Sequence, residues 1–388
     1  MKRFALPWRT RWNPLGMSSP TVGIPELTTQ MKGHAMKYRF PAFLLALAFL
    51  SLQPIRQLHA ASAQGPGGSA LKVLAVETFL ADMAQNVAGN RLKVVTLLPI
   101  GADPHSFDPT PADVVKAADC NILFVNGAGF EGFLDKLLQN VGGVHRVIVA
   151  SEGLTVRTKS EDEAAEADED HDRHESDHPH HAHHAQETDH HHGSDSGHEA
   201  DHAHHDQHHH HHDGDPHFWL APPNVIRYVE NIRDGLIQAD PDGKTSYAAN
   251  ADAYIAQIVE LDRWIEDQVK QIPVKRRLLV TNHESLGYFA DLYGFEIIGA
   301  VIPSVSTDAS PSARELAHLV ERIKATGTRA IFMETGANPQ LSKQVAKETG
   351  VEVVAELHIH SITEPGGPAP TYIEMMKYNV TTIVDALK

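Results

Sequence analysis

Short runs of aliphatic and β-branched residues recur along this chain, separated by longer stretches whose apolar positions return every three or four residues. The first half carries LKVLAVE (71–77), KVVTLLP (93–99), NILFVNG (121–127) and HRVIVAS (145–151). The second half carries RRLLVTN (276–282), EIIGAVIP (296–303), RAIFMET (329–335) and VEVVAELH (351–358). Such runs predict buried strands. Helical periodicity marks FLADMAQNVAG (79–89), FEGFLDKLLQNV (130–141), SARELAHLVERIKATG (312–327) and the closing TYIEMMKYNVTTIVDALK (371–388). Parallel strands need a crossover of a dozen or more residues, and helices supply it. The pattern therefore predicts an α/β protein with two lobes, each built of four-stranded parallel βα units.

Between the halves the texture changes. Residues 245–273 place Tyr254, Ile258, Leu261 and Ile265 at spacings of four, three and four, with no internal Gly or Pro, and Pro273 follows. A helix of about 28 residues would be about 42 Å long. It predicts a rigid backbone helix joining the lobes, with large swings of one lobe about the other disfavoured. The expected organisation is an N-terminal extension and signal peptide (1–63) and an N-terminal lobe (64–223) interrupted by an insert (160–215). Linking helices (224–273) and a C-terminal lobe (274–388) follow.

The ends and the insert refine this plan. Residues 36–63 have a basic start, an apolar run and an Ala61-Ser62-Ala63 ending, the layout of a secretory signal peptide, with either Met1 or Met36 as the start. The apolar run is too short and interrupted for a spanning helix. Cys120 is the single cysteine, so no intrachain disulfide forms and no cysteine after the apolar run could carry a lipid. The periplasm is the expected location. The net charge of −17 is local: residues 161–215 hold 18 Asp and Glu against Arg173, leaving 32 acids and 32 bases elsewhere. Acidity is thus a property of the insert and predicts no nucleic-acid or membrane partner for the fold. The insert has almost no large apolar residues and is not expected to order without metal.

Nineteen of the 28 histidines fall in the insert between His171 and His212. The chain after residue 63 has seven others: His105, His145, His217, His283, His318, His358 and His360. His145 and His318 read as ordinary exposed or hydrogen-bonded residues. His105, His283, His358 and His360 lie at or just beyond strand ends, and His217 follows a Pro-containing turn. Ligands collect at the carboxyl ends of parallel strands. His358 and His360, two apart, would face the same side if the strand continued. Neutral imidazoles without a thiolate suit Zn²⁺ in a near-tetrahedral shell.

At these residues the chain resembles the metal-binding solute-binding proteins of zinc and manganese ABC importers, most of all the zinc-uptake type. GADPHSFDPTPADV, DPHFWLAP and NHESLGYFADLYG are similar to the family's three ligand motifs, and PAPTYIEMMKYNV to its C-terminal helix. The resemblance implies two lobes joined by a backbone helix with one tightly held Zn²⁺ in the cleft between them. It implies His105, His217 and His283 as ligands, the third being a carboxylate in manganese-selective relatives. Many relatives carry an Asp-Ser pair after the last strand where this chain has His360-Ser361. The fourth ligand is then His360, with His358 or a water as alternatives. Glu284 and Glu334, also near strand ends, could support the ligands from behind.

The expected activity is capture of Zn²⁺ in the periplasm by a monomer that delivers it to an inner-membrane permease with its ATPase subunit. Alternatives are a manganese importer component, a periplasmic zinc buffer and a zinc hydrolase. Against the hydrolase, HESLG lacks the second histidine of an H-E-x-x-H helix. The insert predicts several weak zinc sites, drawn from His180, His181, His183, His184, His190, His191, His192, His202, His204, His205, His208, His209, His210, His211 and His212. In HHHHHDGDPH (208–217) the reading divides: His208 to His212 belong to this collector or sensor, and His217 to the positioned site.

Overall fold

The computed structural model describes residues 71–141, 146–158 and 214–388. The signal-like stretch, His145 and the His-rich insert lie outside the described residues. Two parallel sheets are present. The first runs β2-β1-β3-β4, with β1 Val73–Ala75, β2 Val94–Thr96, β3 Ile122–Val125 and β4 Arg146–Val149. The second runs β6-β5-β7-β8, with β5 Leu278–His283, β6 Glu296–Ile302, β7 Ala330–Glu334 and β8 Glu352–Leu357. The two orders are equivalent: β5 takes the place of β1, and β7 that of β3. Each strand lies within the run that the hydrophobic pattern picks out, or overshoots it by one residue.

The helices are α1 Thr78–Ala88, α2 Pro111–Ala118, α3 Leu134–Val141, α4 Pro222–Ala239, α5 Lys244–Val269, α6 Gly287–Tyr293, α7 Ala313–Thr326, α8 Gln340–Thr349 and α9 Tyr372–Leu387. Two differ from the expected spans for identifiable reasons. The stretch 130–141 turns helical only at Leu134. Its start is bent into a turn because the Glu131 carboxylate accepts the backbone N–H groups of Asn126 (2.5 Å) and Gly127 (3.1 Å). The spine α5 stops at Val269, four residues short of Pro273, where the ladder tightens to the bonds Gln271 N–H to Gln268 and Ile272 N–H to Val269.

The spine is stable for reasons of packing more than propensity. Tyr247, Ala251, Tyr254, Ile258, Leu261, Ile265 and Val269 form one buried stripe, packed on α1, α4 and α9. At Gly89 the chain leaves α1 with φ 60°, and a Cβ there would stand 2.6 Å from Asn250 Nδ2 on the spine. That nitrogen donates to the Val87 carbonyl at 3.0 Å, so the close approach fixes α1 to α5.

A buried acid pair sits where β1 and β3 end. Glu77 is fully buried and faces Glu131. Burial, reinforced by the Glu131 charge, holds the Glu77 carboxyl well above the usual range, and burial raises Glu131 as well. No other described residue donates to the Glu77 oxygens, so the pair is satisfied only when it shares a proton. The tyrosine Tyr228 faces the same pair and donates to Asn126 Oδ1.

A carboxyl whose pKa is raised on folding adds most stability below its unfolded pKa and loses it as pH climbs toward the folded value. Glu77→Gln, which mimics the protonated acid, should therefore raise the melting temperature of the metal-free protein more at pH 8 than at pH 5. A gain of about 1 kcal/mol corresponds to about 2–4 °C at this size. Equal shifts at both pH values would contradict the shared proton.

Candidate metal centre

Four imidazoles from four different loops or strand ends converge between the sheets. His105 lies in the loop after β2, whose far end is anchored by a capping box at α2: the Thr110 hydroxyl accepts the Asp113 N–H, and Asp113 accepts the Thr110 N–H. His217 follows Asp215-Pro216 and leads into a tight 3-10 turn over Phe218–Leu220. His283 is the last residue of β5, and His360 stands three residues beyond β8. The Nε2 atoms of His105, His283 and His360 lie 3.4, 3.1 and 3.4 Å from His217 Nε2. One ring nitrogen from each of the four falls within 4.8 Å of all the others. Nitrogens about 2.0–2.1 Å from one central cation would lie about 3.3–3.4 Å apart in a tetrahedron, so the three spacings to His217 are those a single ion would set.

Carboxylates stand behind the rings rather than among the converging nitrogens. Asp215 Oδ1 accepts both the backbone N–H of His217 and a bond from its Nδ1, each at 2.9 Å. Glu334 Oε1 lies 2.5 Å from His283 Nδ1 and accepts the Ser285 hydroxyl at 3.3 Å. With the outer nitrogen of each ring occupied, its tautomer is set and Nε2 presents a lone pair inward. His283 ends β5 and Glu334 ends β7, the adjacent strands at the point where the strand order reverses. The chain's topology thus makes them neighbours although 51 residues separate them.

The electrostatics divide the four. Burial, aided by the His283 charge, lowers His105 to about 3 and holds His217 and His360 well below the ordinary imidazole value. For His283 burial also opposes the charged form, but Glu334, with Asp103 and Asp215 behind it, outweighs this and raises the pKa. Burial pushes Asp215 up to about 7. Three rings are therefore held neutral, ready to ligate, and the exchangeable protons sit on His283 and Asp215.

The remaining candidates fall elsewhere. His358 does not share His360's side: a bulge, with Glu356 at φ 80°, interrupts the pairing of β8 with β7, and the strand ends at Leu357. The Asn379 side chain then takes both the N–H and the carbonyl of His358, whose Nδ1 meets Thr335 Oγ1 at 3.0 Å. Glu284 donates its backbone N–H to Ser304, and its charge acts on Asp215. His318 lies mid-helix in α7. Asp215 and Asp103 went unnoticed among the sequence candidates. Asp103 Oδ1 accepts the His105 N–H at 3.0 Å, and Oδ2 accepts the Thr307 hydroxyl of the other lobe at 2.5 Å. The D-P-H spacing shared by 103–105 and 215–217 was the available signal.

A cavity of about 470 Å³ opens beside His360, lined also by Asp103, Thr307 and Glu334 among others, whereas His217 and His283 are fully buried.

The family model described as zinc-uptake complex component A, periplasmic, matches residues 73–386. The manganese-binding lipoprotein MntA of Halalkalibacterium halodurans is 31% identical over 321 residues, spanning 82% of this chain and 89% of the relative. The manganese ABC transporter substrate-binding lipoprotein ScaA of Streptococcus gordonii is 27% identical, spanning 90% and 99%. Among solved structures, the manganese-bound periplasmic metal-binding protein of Candidatus Liberibacter asiaticus is similar with a TM-score of 0.63 and 25% identity, over 82% of this chain and 100% of that one. The periplasmic zinc-binding protein TroA of Treponema pallidum shares the fold, with a TM-score of 0.65 at 22% identity over 82% and 99%.

The protonation pattern has a measurable consequence. An incoming cation must displace the His283 proton, and its charge favours ionised Asp215. Affinity should climb about 10- to 100-fold per pH unit while His283 and Asp215 still carry their protons, corresponding to one or two protons, and flatten once both are lost. Four ordinary imidazoles would give up to about 10⁴-fold per unit below pH about 6. Calorimetric titration across pH 5–8 distinguishes the two slopes.

Proposed function

The chain belongs to the family of periplasmic zinc-uptake complex component A proteins, substrate-binding components of metal ABC transporters rather than enzymes, and on that premise we propose that its cargo is Zn²⁺. The observation that carries this reading is the donor set: four imidazoles converge, and the carboxylates bond their outer faces instead of entering the cluster. Imidazole suits Zn²⁺, whereas carboxylate, carbonyl and water suit the harder Mn²⁺. The four rings are neutral donors, so the ion's two charges are balanced from outside by Asp215 and Glu334. His105, His217, His283 and His360 are the proposed ligands, Asp215 and Glu334 their orienting partners. The protein would load Zn²⁺ through the cleft in the periplasm and hand it to a membrane permease driven by an ATPase subunit.

Manganese is the second reading, favoured by the names of the Halalkalibacterium and Streptococcus relatives. Those relatives are lipoproteins by name, whereas here the single cysteine, Cys120, lies far beyond the apolar run of 36–63, so the proposed form is an unanchored periplasmic one. The His-rich tract is proposed as a low-affinity zinc collector. Its flanks meet at an antiparallel bridge between Arg157 and Asp215, where Asp215 N–H donates to the Arg157 carbonyl at 2.8 Å. The tract is thus rooted two residues from His217.

Because those flanks already touch, residues 161–213 can be replaced by a short turn. The shortened protein should keep one tight site and lose the weak ones, and Zn²⁺ should displace Mn²⁺ from it. His217→Ala in the full chain should do the reverse, abolishing the tight site and sparing the weak ones. Preferential retention of Mn²⁺ over Zn²⁺ by the shortened protein, in a competition read by metal analysis, would reverse the assignment of cargo.

A further inference from the structure

His360 is held less directly than His217 and His283. His217 and His283 each have a carboxylate within 2.9 Å of Nδ1, whereas the nearest carboxylate oxygens to His360 Nδ1 are Asp103 Oδ1 at 3.7 Å and Glu334 Oε2 at 3.9 Å. It also sits beyond the end of β8, where no sheet ladder continues. A four-coordinate site with a loosely held donor admits water in its place.

Its restraint comes from the other lobe. The Trp219 indole N–H donates at 2.9 Å to the carbonyl of Ile359, the residue before His360. The Trp219 carbonyl accepts the hydroxyl of Tyr372, at the start of α9, at 2.7 Å. The indole is fully buried, stacks on Phe79 with centroids 4.4 Å apart and lies 4.8 Å from Phe130. A ring so enclosed has no alternative rotamer within reach. Trp219 also stands two residues after His217. One immobile side chain therefore ties the turn that carries one ring to the loop that carries another.

We infer that Trp219 is a positioning residue: through its indole hydrogen bond to Ile359 it sets His360, rather than a water, as the fourth donor to the cation. The inference rests on the four-imidazole reading above. Removal of the indole N–H leaves the Ile359 carbonyl without this donor and loosens the peptide before His360, with the loop still tied at His358 by Asn379, at Ser361 by the Gly101 N–H and at Ile362 by Thr78, while a phenyl ring can still stack on Phe79.

Co²⁺ serves as the probe, because tetrahedral Co²⁺ absorbs visible light strongly and loses that intensity when water raises its coordination number. One equivalent of Co²⁺ is added to the full chain, and Zn²⁺ affinity is measured by competition. Trp219→Phe should lose most of the visible absorption and weaken Zn²⁺ about tenfold, the range seen when support behind a ligand is removed. His360→Ala should lose at least as much, and the double variant should be no weaker than His360→Ala alone, since both changes act through one ring. Full absorption in Trp219→Phe, or losses that add in the double variant, would overturn the role. Should Trp219→Phe fail to fold, Tyr372→Phe removes the hydroxyl that holds the Trp219 carbonyl. It must then lower the absorption in the His360 background of the wild type and not in His360→Ala. If His360→Ala changes neither spectrum nor affinity, the four-imidazole reading falls, and with it this one. If His360→Ala changes both and Trp219→Phe neither, only the positioning role falls.

Discussion

Imidazoles repel one another as ligands until a cation joins them: their lone pairs point inward, and any proton on an inward nitrogen opposes its neighbours. Gathering four such nitrogens within 4.8 Å in a hollow where two of the rings are fully buried favours neutral rings, His283 excepted, and tautomers chosen in advance. Burial enforces the first condition by penalising the charged form of His105, His217 and His360. Carboxylates behind His217 and His283 enforce the second. The same carboxylates supply negative charge just outside the coordination sphere. A doubly charged ion can thus be taken out of water without leaving its charge uncompensated in a low-dielectric cleft.

Holding four donors to fractions of an ångström demands a stiff frame, and the frame is assembled from ties that cross between the sheets. The spine α5 packs on α1, α4 and α9, so elements of both lobes share one core. Trp219 reaches Ile359, Tyr372 reaches Trp219, and Thr78 Oγ1 accepts the Ile362 N–H at 3.1 Å. At the front, Asp103 meets Thr307 beside the cavity, at a partly exposed position. Buried bonds thus lie at the back of the cleft and a partly exposed one beside its cavity.

The two lobes use their equivalent positions differently. Where β5 and β7 end, His283 and Glu334 form a charge-assisted pair that faces the cleft. Where β1 and β3 end, Glu77 and Glu131 form an acid pair buried in the lobe, whose acceptors hold the turn at Asn126 and Gly127. Asn126 in turn donates to the Pro216 carbonyl at 3.1 Å, directly ahead of His217. One switch point supplies a candidate ligand, and its counterpart supports the peptide from which another ligand projects.

Much of this was legible in the chain itself. The eight strands, the spine and the two-lobed α/β plan follow from period and length, because burial on both faces of a parallel sheet leaves continuous apolar runs. His105, His217 and His283 stand out through their placement at strand ends and their motifs. The choice between His358 and His360 did not, since alternation along a strand says nothing about where a bulge will end it. Here the bulge at Glu356 and the Asn379 side chain turned one histidine away. Glu284 and Glu334 both drew notice for lying near strand ends, but only Glu334, together with the unremarked Asp215, reaches a ring nitrogen. Hydrogen-bond partners are fixed by through-space direction, which a linear spacing does not contain. The sequence by itself determined the elements, their order and the kind of chemistry available, because periodicity and residue type are local properties. Only the tertiary structure decided which four rings meet, which carboxylates orient them and which protons they shed, because strand order and burial bring together residues up to 255 positions apart.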